Sequence, residues 1–198
     1  MKPSSQKFKN GRYVENQTTL NEHLMRLDQN RKVNRFETNY LIPKVKKLFR
    51  KCGFYEASKE ISLIKRYITM IFLAQEARCS YWIKTEEGEI NGVWNSPGAQ
   101  YENWYSDWIR YELDHVEPAN SGGTDDLENI QFLSPNNNRF IKCALTVEQL
   151  LKRVDLSKEF KDRVRYVQQK RKELFSSDRW KEFINEIEDL ELKSLIPF

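Results

Sequence analysis

Tyr111-Glu-Leu-Asp-His-Val-Glu-Pro118 and, shortly after it, Glu128-Asn-Ile-Gln-Phe-Leu-Ser-Pro-Asn-Asn-Asn-Arg139 decide how this chain reads. Trp108-Ile-Arg-Tyr-Glu-Leu-Asp-His115 has the aromatic and branched content of a strand. Pro118 to Asp126 is a loop, and Gly122-Gly123 within it permits positive φ. Asn129 to Leu133 reads as a second short strand. Ser134-Pro135 then opens a helix, with serine as N-cap and proline at the first helical position, where its missing N–H costs nothing. The order is strand, glycine loop, strand, helix.

Chemistry concentrates in the same stretch. The chain has 2 histidines. His23 lies in a polar-flanked helical stretch and reads as structural. His115 sits beside Asp114, and imidazole is the side chain naturally poised near neutral pH to take a proton from water. Asp114 offers a hard carboxylate oxygen. Asn136, Asn137 and Asn138 each offer an amide oxygen, and two oxygen ligands with phosphate and water oxygens suit Mg²⁺ or Mn²⁺. Asn129 has no acid–base chemistry, and its expected role is to fix the loop and orient His115 through hydrogen bonds. Lys142, one helical turn beyond Asn138, is expected to reach a phosphate, with Arg139 and Arg110 as weaker candidates for the same role. One geometric difficulty stands out: in a regular strand Asp114 and His115 point to opposite faces. Both can serve one phosphate only if the strand bends or ends there.

Leu113-Asp-His-Val-Glu-Pro118, Gly122-Gly123, Glu128-Asn-Ile-Gln131, Asn138-Arg139 and Lys142 together resemble the HNH (ββα-metal) endonucleases, in their Asp-His…Asn…Asn form. That form is similar to the strand-cutting domain of CRISPR-guided effectors and to many phage and restriction nucleases. The likeness covers about 35 residues, and residue types, order and spacing all agree. It implies a metal-dependent endonuclease acting on double-stranded DNA, site-specific and of restriction or phage/homing type. It also implies His115 as general base, Asn129 as its orienting partner, and one Mg²⁺ (or Mn²⁺) per site held by Asp114 and Asn138. The product would carry a 5′ phosphate. Two other readings stay open: a DNA-binding module with an inactive nuclease site, and an RNA-directed or toxin-like nuclease. A single unit of this kind cuts one strand, so a double-strand break would require a homodimer or two successive nicks.

The rest of the chain sets the frame. Its 198 residues suit one good core, or a small catalytic module with helical additions. Charged residues make up 31%, and the longest mostly apolar run, Tyr67 to Ala74, is far short of the ~20 residues that span a bilayer. The N-terminus has no apolar signal region, so the expectation is a cytoplasmic protein with no membrane partner. Cys52, Cys79 and Cys143 are scattered and form no CxxC pair, which argues against a disulfide framework and a four-cysteine zinc site. Charge is uneven: residues 1–75 hold 16 Lys/Arg against 6 Asp/Glu, residues 76–133 hold 3 against 12, and residues 134–198 hold 14 against 11. Basic flanks suit a polyanion and an acidic centre suits a cation, although charge-laced helix faces give the same pattern.

The fold class expected is α+β, mostly helical, with a central ββα-metal unit and helical additions at both ends. The segments are a basic helical arm (1–78), the catalytic core (79–145) and a C-terminal helical region (146–198). The first dozen residues read as a mobile basic tail. Capping boxes at Thr19-x-x-Glu22 and Thr146-x-x-Gln149 open helices, as does Asn34-x-x-Glu37. Pro43 breaks or restarts an element that Gly53 ends. Ala57 to Ala77 reads as a buried helix, residues 158–175 as a basic helix, and Ser177 as the cap of a last one. Tyr81-Trp-Ile83 and Ile90-x-x-Val-Trp94 look β-like, and Trp82, Trp94, Trp104 and Trp108 read as an aromatic core supporting the site rather than a base-stacking platform.

Overall fold

A computed structural model describes residues 7–9, 12–14, 37–75, 80–81, 111–135 and 137–195. The helices begin and end where local chemistry dictates. Helix α1 (Ile42–Lys51) carries Pro43 in its first turn and buries Ile42, Val45, Leu48 and Phe49 along one face. It stops at Gly53, whose φ of +87° suits glycine. Gly53 N donates to Arg50 O at 3.1 Å and Phe54 N to Phe49 O at 2.9 Å, the paired bonds of a Schellman stop. A short 3₁₀ turn at Ala57–Lys59 precedes α2 (Ile61–Ala74), so the expected helix from Ala57 begins later, after the extended Glu60. Helix α2 is buried on several sides, through Leu63, Ile64, Tyr67, Ile68, Ile71 and Phe72.

Three capped helices close the chain. In α3 (Val147–Lys152) both halves of the Thr146/Gln149 capping box form. Ser157 caps α4 (Lys158–Phe175) and Ser177 caps α5 (Asp178–Ser194), each accepting from the backbone N–H three residues on. All three starts fall where the sequence places them.

Two antiparallel strand pairs complete the description, and the architecture is mostly helical α+β. Strand β1 (Lys7–Lys9) pairs with β2 (Arg12–Val14), so the basic N-terminus holds strands where a tail was expected. The sequence between them, Asn10-Gly11, is the strongest short hairpin dipeptide, and reading only the charge passes over it. Strand β3 (Glu112–His115) pairs with β4 (Ile130–Leu133), with Asp114 opposite Gln131 and His115 opposite Ile130. Strand β3 is bounded by the loop at Val116, and its expected start at Trp108 lies outside the described residues. So do Arg110, the tryptophan-rich stretch 82–110, the β-like Ile90 segment, His23 and the Thr19 capping box.

Among the described residues no strand pairs with the outer side of β4, and side chains, together with Ser80 N donating to Phe132 O at 3.2 Å, serve that edge. The Gln75 amide donates to Phe132 O and accepts from Phe132 N, both at 2.9 Å. Buried Arg171 donates to Ile130 O and, at 2.6 Å, to Glu128 O. Every such bond removes an orphaned backbone group that would otherwise destabilise a buried edge. Beneath the sheet Phe72 stacks on Phe132 at 4.4 Å and meets Tyr111 edge-on at 4.9 Å. Tyr67, Phe49, Trp180 and Phe183 extend the same core to α1 and α5. Tyr67 also donates its hydroxyl to Leu127 O at 2.8 Å, which ties the loop before β4 to the central helix. The strand pair that carries His115 therefore rests on a rigid base.

Candidate functional site

The loop between β3 and β4 is folded around Asn129. Its Oδ1 accepts from Glu117 N at 2.8 Å, and its Nδ2 donates to Glu117 O at 3.0 Å and Thr124 O at 2.8 Å. Val116 N donates to the Asn129 backbone carbonyl at 2.8 Å. Asn129 thus clamps both ends of the loop that follows His115, while its side-chain bonds go to Glu117 and Thr124 and not to the imidazole. The two glycines in that loop serve different ends. Gly122 has φ +88° with open space around it, whereas a Cβ on Gly123 would lie 1.8 Å from Glu117 O. Gly123 is there because the backbone passes too close for any side chain.

The loop brings Asp125 to His115, with Nε2 lying 3.0 Å from Asp125 Oδ1. Lys51, the last residue of α1, donates to both oxygens of the same carboxylate, at 3.0 and 2.8 Å. That hydrogen bond, with a smaller one from His115, holds the Asp125 carboxyl below its usual range. His115 is about one-third exposed (33%). Neither Asp125 nor Lys51 was selected from the sequence. Asp125 sits in a loop without periodicity, and Lys51 is 74 residues away, so no local pattern links them.

Strand alternation places Glu112 and Asp114 on one face and His115 on the other. Asp114 Oδ2 accepts from Gln131 Nε2 at 3.0 Å, its cross-strand partner, and faces Lys142 Nζ at 3.5 Å. Burial pushes the Asp114 carboxyl above its ordinary value, and Lys142 opposes that push. Burial likewise lowers the Lys142 ammonium, and Asp114 opposes it.

Asn138 and Arg139 both meet Glu112: Asn138 Nδ2 donates to Oε2 at 2.9 Å and Arg139 to Oε1 at 2.6 Å. Glu112 is a third residue that the sequence pattern leaves aside, yet strand alternation makes it findable, because it lies two positions before Asp114 and so shares its face.

Lys142 is placed differently from the expectation. Its side chain has 0% exposure, so it does not stand out towards a phosphate. Residues Asn137–Lys142 form a wide turn with an i→i+5 bond from Cys143 N to Asn138 O, not an ordinary α-turn. Asn138 and Lys142 both turn to the strand face that carries Glu112 and Asp114, and Lys142 is covered there against Asp114. The serine cap itself forms as expected, Ser134 Oγ accepting from Asn137 N at 3.3 Å. Arg139 stays exposed (64%) beside exposed Phe140.

Compared with known protein families, curated proteins and solved structures, the chain matches none. The site must therefore be judged on its own donors. Among the described residues no three His, Cys, Asp or Glu side chains converge as a metal cluster. A cation here would rest on Asp114 and the Asn138 amide oxygen, which the bond from Nδ2 to Glu112 leaves available, together with oxygens from outside the protein. Those donors are hard and fit Mg²⁺ or Mn²⁺. The buried Lys142 Nζ has no hydrogen-bond partner, and it marks the side on which the fold sets positive charge against Asp114. No helix among the described residues is long and apolar enough to cross a membrane.

Proposed function

We propose that this protein is a metal-dependent endonuclease of the HNH (ββα-metal) type that hydrolyses DNA phosphodiester bonds. The observation that carries the reading is the clamp of Asn129 on the loop after His115. It ties the asparagine to the loop that directly follows the histidine, and the sequence singles out both residues. His115 is the last residue of β3, with Asp114 on the opposite face, so the two would have to serve one phosphate across the end of the strand. A divalent cation held by Asp114 and Asn138 would neutralise charge developing on the phosphate and the leaving 3′ oxygen. His115 takes a proton from the attacking water. Asn129 keeps the loop, and with it the ring, in place. Arg139 offers an exposed guanidinium for a neighbouring phosphate.

The surface supports a polyanion substrate. Helix α1 carries Lys44, Lys46, Lys47, Arg50 and Lys51 and no acid. Lys44, Lys47 and Lys51 recur at i, i+3 and i+7, one stripe that ends at Asp125 beside His115. A site-specific enzyme of restriction or phage/homing type fits this arrangement, with specificity supplied by groove contacts.

A second reading has its own support. The Lys142 ammonium lies where a cation would otherwise balance Asp114, which favours a module that binds nucleic acid without cutting it. Incubating supercoiled plasmid with the protein in Mg²⁺, and in parallel with EDTA, separates the two. Nicked or linear product that EDTA suppresses supports the nuclease, and bound but intact DNA supports the module. Parallel incubation with RNA and single-stranded DNA tests an RNA-directed activity.

A further inference from the structure

We infer that Asp125, held by Lys51, is a positioning residue for His115 that makes Nδ1 the nitrogen available to accept a proton. The inference rests on the reading of His115 as the general base. Asp125 is fixed at two points by the end of α1. Its carboxylate takes both bonds from Lys51, and its backbone carbonyl accepts from Cys52 Sγ at 2.7 Å. The Cys52 thiol can donate because burial and the neighbouring Asp126 and Asp125 push it up to about 11, so it keeps its proton at neutral pH. An ionised carboxylate only accepts hydrogen bonds. The 3.0 Å contact between His115 Nε2 and Asp125 Oδ1 therefore places the hydrogen on Nε2. In a neutral imidazole that leaves the lone pair on Nδ1.

Two consequences follow from the geometry. The ring is held in one orientation by a partner outside the strand, so Nδ1 faces away from Asp125. When Nδ1 takes the proton from water, the imidazolium that forms lies against a carboxylate already in place, the service a buried aspartate gives a catalytic histidine elsewhere. Lys51 makes this an attachment between the basic arm and the catalytic loop, since it ends the α1 stripe and holds the carboxylate that orients the base.

The test combines turnover with a direct view of the ring. For Asp125→Ala we expect kcat on plasmid DNA to fall roughly 10- to 100-fold, the loss common when an outer partner of a site residue is removed, with KM changed less than about twofold. Asp125→Asn, which keeps an acceptor but not the charge, should fall between Asp125→Ala and the parent, and Lys51→Met should lose less than Asp125→Ala. In ¹⁵N-edited NMR of the uncut protein, the His115 Nε2–H should resonate downfield and exchange slowly, and Asp125→Ala should abolish that signal. Wild-type kcat in both Asp125→Ala and Asp125→Asn, or an Nε2–H signal indifferent to Asp125→Ala, would each overturn the inference. A protein that cuts no nucleic acid would sink the nuclease reading instead, and the NMR signal would still decide whether Asp125 holds the ring.

Discussion

Replacing Gly123 with alanine separates two reasons for a glycine within one dipeptide. At Gly123 the added Cβ would sit 1.8 Å from Glu117 O and 2.5 Å from Glu117 C, where separations under 3.0 Å essentially never occur. Both atoms belong to backbone, so no side chain can swing aside and the loop must open. Opening breaks Gly123 N→Pro118 O at 3.0 Å and disturbs the bonds between Asn129 and Glu117 at 2.8 and 3.0 Å. Three partly buried hydrogen bonds at about 1 kcal/mol each give a cost of about 3 kcal/mol. Gly122→Ala meets nothing within 4 Å and suffers only its φ of +88°, a cost of about 1 kcal/mol. Urea unfolding measures both. With a slope of about 2 kcal/mol/M, Gly123→Ala should lower the midpoint by about 1.5 M and Gly122→Ala by about 0.5 M. Equal shifts, or a larger one for Gly122→Ala, would refute the argument that the loop is closed by close backbone approach.

Further outcomes follow from the same contacts. Asn129→Ala removes three side-chain hydrogen bonds and should cost about 3 kcal/mol in urea unfolding, with cleavage falling as well. Lys142→Met leaves the buried Asp114 carboxylate without its cation and should cost about 3 kcal/mol, while Asp114→Asn in the same background should recover most of it; no recovery in the double variant would show that Lys142 does not balance Asp114. Lys44→Glu with Lys47→Glu should weaken DNA binding and reduce the slope of log K against log salt by about 2, read from fluorescence anisotropy at several salt concentrations. Cys52, with its thiol pushed up to about 11, should hold about one thiolate per thousand at about pH 8 and resist alkylation until the protein unfolds, as mass spectrometry of iodoacetamide-treated protein would show.

Local chemistry made much of the fold legible. Thr146 and Ser177 announce their helices because a capping side chain acts on backbone three residues away. The Schellman stop at Gly53 is legible for the same reason. Strands β3 and β4 show in branched and aromatic content. What escaped depends on how the chain packs. No pattern in residues 137–142 distinguishes a wide turn from an α-turn, and none shows that Lys142 is buried against Asp114. The edge partners of β4, Gln75 and Arg171, come from helices far along the chain.

The site divides in the same way. His115, Asn129 and their loop were readable because the clamp spans one short segment. Glu112 was within reach through strand alternation. Asp125 became visible only when α1 and the loop were packed together, since its meaning comes from Lys51 on one side and His115 on the other.

The central claim is that His115 is the base of a nuclease, and the rate at which His115→Ala cuts plasmid DNA in Mg²⁺, measured beside its DNA affinity, tests it most directly. Cleavage by this variant should disappear while its DNA binding stays at the wild-type level. Cleavage by His115→Ala at the wild-type rate would contradict it.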